Sequence, residues 1–192
     1  MNLVIDIGNT RTKFSVFNRG EVLITVPVDE FLPEHIEILK KEHPSLNQVI
    51  LSSVKEYPET LKTALQNQFD RFIELNSNTP LPVKNGYKTK ETLGKDRIAA
   101  VVGAFDLYPG ANVLVIDAGT AITYDFIDEN SQYWGGNISP GLEMRFAALH
   151  HFTGKLPLEQ PAKFNHLFGT TTREAILAGV QNGIIYEVDK TI

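Results

Sequence analysis

The sequence predicts an α/β protein made of two related halves, and two observations support this prediction. An apolar run that ends in aspartate, a variable residue and glycine occurs twice, as V-I-D-I-G at residues 4–8 and as V-I-D-A-G at residues 115–119. Each copy continues into a second run with strand character, at residues 12–17 and 122–127, then into a polar turn and a third extended run. Each half is therefore expected to open with a β-hairpin or meander.

Between the two copies, segments of helical and strand character alternate, as they do in α/β proteins. Pro33 suits the first turn of a helix, and apolar residues at helical spacing follow it. Residues 76–87 contain Pro80, Pro82 and Gly86 and are expected to form a loop. The other elements predicted in this half are helices at 33–43, 57–68 and 95–107 and strands at 48–52 and 71–75.

The two halves are expected to meet at the Tyr-Pro-Gly turn of residues 108–110, which gives predicted domains of residues 1–110 and 111–192. The second domain is expected to contain a helix over residues 141–151 and a final helix from residue 171 onward. No glycine or proline follows Asp189 to stop that last helix. We therefore expect the second domain to be incomplete and the sequence to be part of a longer chain.

The composition limits the possible functions. Hydrophobic residues make up 42% of the 192 residues, which is ordinary for a globular protein. The absence of cysteine excludes disulfides, thiolate nucleophiles and thiolate metal sites. The net charge of −5 disfavours nucleic acid and anionic membranes as partners. The N-terminal sequence lacks the apolar core of a signal peptide, and no stretch approaches the roughly 18 apolar residues of a membrane span, so a cytoplasmic location is expected.

The first turn, D-I-G-N-T-R-T-K at residues 6–13, has the chemistry of a phosphate-binding loop. Gly8 permits a tight turn with accessible backbone amides, and Asn9 and Thr10 add polar donors. Lys13 adds a positive charge, and Asp6 could hold a magnesium ion or its waters. The alternative is a tight hairpin in which the polar side chains only satisfy the backbone of the turn.

The second copy offers fewer charges. Asp117 could bind a cation and Thr120 could donate to a phosphate, but no lysine or arginine follows closely. Two such hairpins, one from each half, would bind a polyphosphate from both sides, and this favours the functional interpretation of the pair.

The Gly94–Lys95–Asp96–Arg97 segment begins an apolar helix and is a candidate substrate site. Backbone amides at a helix N-terminus favour an anion. Arg97 could bind a carboxylate through two hydrogen bonds, and Asp96 could accept a proton from an attacking hydroxyl. The alternative is an ordinary first-turn acid beside a solvated arginine.

The second half contains two further polar segments. Residues 134–142, W-G-G-N-I-S-P-G-L, are expected to form a backbone-rich loop that leads into a helix, either as a ligand loop or as a simple connection. Glu143, Arg145, His150 and His151 are expected mostly on the surface of that helix, and the histidines lack metal-ligand spacing. One of the three threonines at 170–172 is expected to cap the last helix.

The paired D-x-G hairpins resemble the acetate kinase, sugar kinase, Hsp70 and actin superfamily, and the chain more specifically resembles the type III pantothenate kinases. The motifs are D-I-G-N-T-R-T-K at 6–13, Y-x6-G-K-D-R at 87–97, I-D-A-G-T-A at 116–121, G-G-N-I-S-P-G-L at 135–142 and G-T-T-T-R-E-A-I-L-A-G at 169–179. The resemblance covers essentially the whole chain. It implies two duplicated ribonuclease-H-like, actin-like ATPase halves with a nucleotide cleft between them.

The resemblance also implies an activity, which is transfer of the γ-phosphoryl group of ATP to the terminal hydroxyl of pantothenate at the start of coenzyme A biosynthesis. It implies magnesium and a monovalent cation, potassium or ammonium, as cofactors, and a homodimer as the assembly. Asp96 would be the general base, Asp117 would bind the monovalent cation, and Asp6 would hold magnesium through water. The ATP site would comprise Asp6, Ile7, Gly8, Asn9, Thr10, Arg11, Thr12, Lys13 and Thr120, and the pantothenate site would comprise Tyr87, Gly94, Lys95, Asp96, Arg97 and Thr172.

Two features qualify the resemblance. Lys95 stands where the family commonly has a small residue, and we expect its side chain to point outward. The second feature is at the C-terminal end, where family members continue through a further strand and a glycine-rich turn that approach the nucleoside, and we expect this part to be missing from this sequence.

The alternative functions are a non-catalytic regulatory accessory protein of the same fold and a kinase of the same superfamily that acts on another small hydroxylated substrate.

Overall fold

The computed structural model describes residues 1–8 and 11–192, and the chain divides into two compact units. The first unit comprises Met1–Leu81 and Lys88–Ala99, and the second comprises Pro82–Tyr87 and Ala100–Ile192. The predicted domain boundary at residue 110 remains a prediction.

The first unit is built on a five-stranded sheet. Its strands are β1 (Asn2–Ile7), β2 (Thr12–Asn18), β3 (Glu21–Val28), β4 (Gln48–Ser53) and β5 (Arg71–Glu74). Their order is β3-β2-β1-β4-β5, with the first three antiparallel and with β4 and β5 parallel to β1. An antiparallel meander extended by parallel strands is the ribonuclease-H-like arrangement, so the predicted α/β class is confirmed, with this arrangement in the first unit.

Two helices, α1 (Pro33–Glu42) and α2 (Glu59–Gln68), contribute to the core of the first unit. Alternate residues of β1 are buried, so that Leu3, Ile5 and Ile7 join the core while Asp6 lies on the opposite face. This alternation removes one side of the sheet from water and leaves the carboxylate on the other.

The second unit has a four-stranded sheet in the order β6-β9-β8-β7, formed by β6 (Lys84–Asn85), β7 (Val113–Ala118), β8 (Ala121–Ile127) and β9 (Gln132–Pro140). Strands β7 to β9 form the second antiparallel meander. Helix α3 (Lys95–Leu107) spans the division between the units, while α4 (Leu142–Phe152) and α5 (Thr172–Thr191) belong to the second. No helix in the described part of the chain is long and apolar enough to cross a membrane.

The prediction of a loop at residues 134–142 was wrong, because most of this segment lies in strand β9. Residues 76–87 form a loop as predicted, except for residues 84–85, which pair with β9. A Cβ on Gly136 would lie 1.6 Å from the carbonyl oxygen of Tyr124 on the neighbouring strand. The glycine here therefore permits a close approach of two strands, which composition alone does not distinguish from a loop.

Candidate active site

Asp6 lies near the C-terminal end of β1, next to the first predicted phosphate turn. Its register partner on β2 is Lys13, so the two side chains are direct cross-strand neighbours. Burial raises the pKa of the Asp6 carboxyl group, the Lys13 ammonium lowers it, and the negative charge of Asp96 raises it. The charge of the proposed base therefore acts on the proposed magnesium-binding carboxylate.

The other described residues of the predicted phosphate loop are Ile7, Gly8, Arg11 and Thr12. Gly8 donates its amide to the carbonyl oxygen of Arg11 at 3.0 Å, and the Arg11 side chain is exposed. Thr12 is only 2% exposed on the core side of the sheet, and Ile7 is buried there as well, so both present only backbone to a ligand. Asn9 and Thr10, two of the predicted ATP-binding residues, lie outside the described residues.

Asp96 and Arg97 occupy the first turn of α3, with Asp96 exposed and Arg97 only 4% exposed. The Asp96 Oδ1 atom accepts a hydrogen bond from the Arg97 backbone amide at 2.9 Å. A Cβ on Gly94 would come within 2.4 Å of the same oxygen, so any larger residue would displace the carboxylate. Arg97 is buried and has interaction partners, so the alternative of a solvated arginine was wrong.

Lys95 does not point outward as expected. Its Nζ atom donates to the carbonyl oxygen of Ser53 at 2.7 Å and is partly buried. It lines a polar cavity of about 530 Å³ at the C-terminal ends of β4 and β5. The residues that line the cavity are Ser53, Val54, Lys55, Glu56, Tyr57, Glu59, Lys62, Glu74 and Lys95.

Sequence reasoning missed this polar cavity. Lys62 and Glu74 form an ion pair at 3.0 Å within it, and this lowers the pKa of Glu74. Burial and the nearby Glu74 carboxylate raise the pKa of Tyr57. The Tyr57 hydroxyl is buried and has no hydrogen-bond partner among the described residues. The polar residues directly after the apolar strand β4 could have indicated this cavity in the sequence. The C-terminal ends of parallel strands often face ligands, so polar residues at that position are candidate site residues.

In the second unit, Asp117 and Thr120 flank the turn between β7 and β8, and both are exposed. The backbone of this turn is packed against the start of α4. Gly141 donates to the Thr120 carbonyl oxygen at 3.0 Å, and a Cβ on Gly141 would lie 2.4 Å from that oxygen. The second turn is therefore positioned by close backbone packing.

Tyr87 is half-buried and stacks on Tyr133, with ring centroids 6.3 Å apart and an interplanar angle of 7°. The Tyr133 hydroxyl donates to the buried carboxylate of Asp125 at 2.6 Å. Gly135 has a φ of +97°, and a Cβ there would contact the Tyr87 ring at 3.3 Å. Asp125, Tyr133 and Gly135 therefore fix the ring of the predicted substrate residue.

Thr172 is the first residue of α5, and the cap is Thr171, whose side chain accepts a hydrogen bond from the Glu174 amide. Thr172 is exposed and lines an apolar groove of about 920 Å³ between α4 and α5.

Arg145, expected on the surface, is half-buried and hydrogen-bonded to Glu187 and to the Pro140 carbonyl oxygen.

Within residues 1–8 and 11–192, no group of three or more histidines, aspartates and glutamates could hold a metal ion by itself. Magnesium at phosphoryl-transfer sites is usually held by one or two carboxylates together with the phosphates of the substrate. Asp6, with Asp96 nearby, fits that pattern.

A family model described as Type III pantothenate kinase matches residues 2–192. The chain belongs to the type III pantothenate kinase family. A relative in Christiangramia forsetii named Type III pantothenate kinase is 48% identical over 195 residues, which cover 100% of this chain and 79% of the relative. A second relative of that name, in Phocaeicola vulgatus, is 45% identical over 98% of this chain and 77% of its own length. The recognition made from the sequence motifs is thereby confirmed.

A solved structure from Campylobacter jejuni, of a conserved protein assigned to the Baf family of transcriptional activators, is also similar. It is 27% identical with a TM-score of 0.59, covering 99% of this chain and 79% of that one.

Proposed function

We propose that this chain is an ATP-dependent pantothenate kinase that transfers the γ-phosphoryl group to the terminal hydroxyl of pantothenate, forming 4'-phosphopantothenate for coenzyme A biosynthesis. The observation that carries the proposal is the family match over residues 2–192. The nearness of Asp6, Lys13 and Asp96 at one end of the first sheet is consistent with it. Phosphoryl transfer requires a metal-bound phosphate, a compensating cation and a base at the attacking hydroxyl.

The roles of individual residues are part of the proposal. Asp96 accepts the proton of the pantothenate hydroxyl, and Arg97 binds the pantothenate carboxylate. Arg97 lies in the first turn of α3 directly after Asp96, which puts the proposed carboxylate contact next to the proposed base. The Gly94–Lys95 backbone, Tyr87 and Thr172 contact the remainder of the substrate.

The turns of the two halves bind ATP. Residues 6–13 and Thr120 contact the phosphates, and Asp6 holds magnesium through water. Asp117 binds a monovalent cation, potassium or ammonium, and its exposure at the end of β7 leaves its carboxylate accessible to one. The protein acts in the cytoplasm.

Release of ADP tests the activity directly. The protein should release ADP from ATP and magnesium only when pantothenate is added, and replacing potassium by sodium should diminish the rate. Absence of pantothenate-dependent ADP release under all these conditions would contradict the proposal.

Substitution of Arg97 tests the substrate site. Arg97→Ala should raise the KM for pantothenate far more than the KM for ATP, because only pantothenate presents a carboxylate to this position. An equal effect on both constants would contradict the carboxylate contact.

A regulatory accessory role is the second candidate, and the assignment of the similar Campylobacter jejuni protein to a family of transcriptional activators favours it. Binding of pantothenate by calorimetry without turnover would support this role. Turnover with pantothenate would exclude a purely non-catalytic protein.

We also propose that the chain forms a homodimer through the apolar groove between α4 and α5. Phe152 at its edge is 82% exposed, and Met144 in its lining is exposed as well, which is unfavourable for a surface facing water. Phe152→Asp should shift the mass measured by light scattering from dimer to monomer. Leu23→Asp, a matched change on β3 of the first unit, should not. A monomeric wild-type protein would contradict the proposal.

A further inference from the structure

Lys95 makes a contact that its proposed place in a substrate loop does not explain. Its ammonium group donates to the backbone carbonyl oxygen of Ser53 at 2.7 Å, across a sequence separation of 42 residues. Ser53 is the last residue of β4 and pairs with Ile7 on β1, directly beyond Asp6. Lys95 therefore connects the start of α3 to the end of the strand that lies beside the Asp6 strand.

The acceptor of this hydrogen bond is itself held in place. The Ser53 side chain is buried, and its hydroxyl donates to the Lys55 carbonyl oxygen at 2.6 Å and accepts from the Lys55 amide at 3.3 Å. The next residue, Val54, donates its amide to the Ile7 carbonyl oxygen at 3.0 Å. A charged donor on a fixed acceptor, partly shielded from water, makes a stronger contact than a neutral hydrogen bond does.

The contact also brings Asp96 towards the strand end that carries Asp6. Asp6 pairs with Ser52 on β4, one residue before Ser53, and Lys95 directly precedes Asp96 in the chain. Asp96 is exposed at the first turn of α3, where its carboxylate accepts a hydrogen bond from the Arg97 backbone amide of the same turn. An anchor on the adjacent residue would hold that turn at the ends of β4 and β1.

We propose that Lys95 is a positioning residue, whose bond to the Ser53 carbonyl oxygen holds the first turn of α3 against the end of β4 and thereby places Asp96 beside Asp6. The inference rests on the proposed kinase function. It assigns the Lys95 side chain to the alignment of the base and leaves contact with pantothenate to its neighbours. Misplacement of a reacting group by about 1 Å can lower a rate by about 10²-fold, so alignment of this kind has a measurable consequence.

Three variants test the proposal. Lys95→Met retains most of the aliphatic length but removes the donor, and Lys95→Arg retains a cationic donor. Lys62→Met is the matched control, because Lys62 lines the same cavity but pairs with Glu74 and contacts neither Ser53 nor α3 in the hydrogen bonds described. The measurements are kcat and the KM values for both substrates, together with amide hydrogen exchange of the peptide that covers the first turn of α3.

We expect Lys95→Met to lower kcat by about tenfold or more while both KM values change by less than about threefold. Lys95→Arg should recover a substantial part of kcat, and Lys62→Met should retain it. Exchange at the start of α3 should accelerate in Lys95→Met and stay unchanged in Lys62→Met. This exchange measurement reports on the anchor even if the protein shows no kinase activity.

Several results would overturn the proposal. A rise in the pantothenate KM with kcat retained in Lys95→Met would make Lys95 a substrate ligand instead. Equal losses of kcat in Lys95→Met and Lys62→Met would indicate a general effect of charge in the cavity. Unchanged amide exchange at the start of α3 in Lys95→Met would show that Lys95 does not anchor this turn. Lack of turnover in the wild-type protein, with accelerated exchange in Lys95→Met, would contradict the proposed function but retain the anchor.

Discussion

The two D-x-G turns share a sequence pattern but differ in their surroundings. In the first half, the last residue pair of the hairpin joins Ile7 to Thr12, whereas in the second half it joins Ala118 to Ile122, one residue closer along the chain. The carboxylate before the first turn is half-buried beside a lysine, and the one before the second is exposed. A repeated motif therefore produces two different electrostatic environments.

This difference indicates that the two turns are suited to binding different charged groups. A partly buried carboxylate with a cation across the strand pair is suited to a metal ion and phosphates, whose charges must be balanced. An exposed carboxylate without a basic neighbour in the sequence turn is suited to a weakly held cation. Changes at matched positions of the two halves can break or sharpen this contrast.

The largest effect is expected at Asp96, the proposed base, for which the second half has no proposed counterpart. Asp96→Asn should lower kcat by about 10²–10⁴-fold, because the amide cannot take the hydroxyl proton, although it can still accept the Arg97 amide hydrogen bond. Steady-state kinetics measures the loss, and calorimetry should show ATP binding nearly unchanged. Turnover of Asp96→Asn at the wild-type rate would show that Asp96 is not the base.

The paired carboxylates provide the next test. Asp6→Asn should lower kcat by about 10²-fold at any potassium concentration, because charge stabilisation at the phosphates is lost. Asp117→Asn should instead raise the potassium concentration needed for half-maximal rate, with kcat largely restored at saturation. Rates measured across a potassium titration distinguish the two, and equal, potassium-independent losses would contradict the division of tasks.

The matched glycines should affect stability by a smaller amount. A Cβ on Gly8 would lie 2.9 Å from the Arg11 carbonyl oxygen, whereas a Cβ on Gly119 would lie 3.8 Å from that of Ala121. Gly8→Ala should therefore cost about 1–3 kcal/mol of unfolding free energy through overpacking, while Gly119→Ala is tolerated. Urea denaturation of both variants compares them directly, and a larger cost for Gly119→Ala would contradict the geometry.

The smallest effect concerns the ionisation of Asp6. Burial raises its pKa, Lys13 lowers it and Asp96 raises it, so Lys13→Met should raise the pKa further. A raised pKa means that the folded state holds the proton more tightly than the unfolded state, so the variant should lose stability relative to wild type as the pH rises through that pKa. Carboxyl-carbon NMR titration of the ligand-free protein measures the shift. Arg11→Met serves as the control, and a shift of equal size there would contradict a specific effect of Lys13.

Much of the fold could be predicted from the sequence, and so could the segments that make up the candidate site of the first half. The duplicated strand–turn–strand pattern, the alternation of β1 and the helical spacing of α1 and α2 depend on local periodicity. Strand β9 could not be predicted this way, because the close approach of Gly136 to Tyr124 is a contact between separate segments. The same holds for Arg145, whose partner Glu187 lies on a different helix.

The sequence by itself determined the α/β class, the two D-x-G turns, the Gly94–Arg97 segment and the family, because these depend on residue type, order and short spacing. Only the tertiary structure decided that the charge of Asp96 acts on Asp6, that Arg97 is buried, that Tyr87 stacks on Tyr133, and that Lys95 reaches the end of β4. Each of these facts joins residues that are distant along the chain. Their meeting depends on strand register and helix packing, which periodicity does not encode.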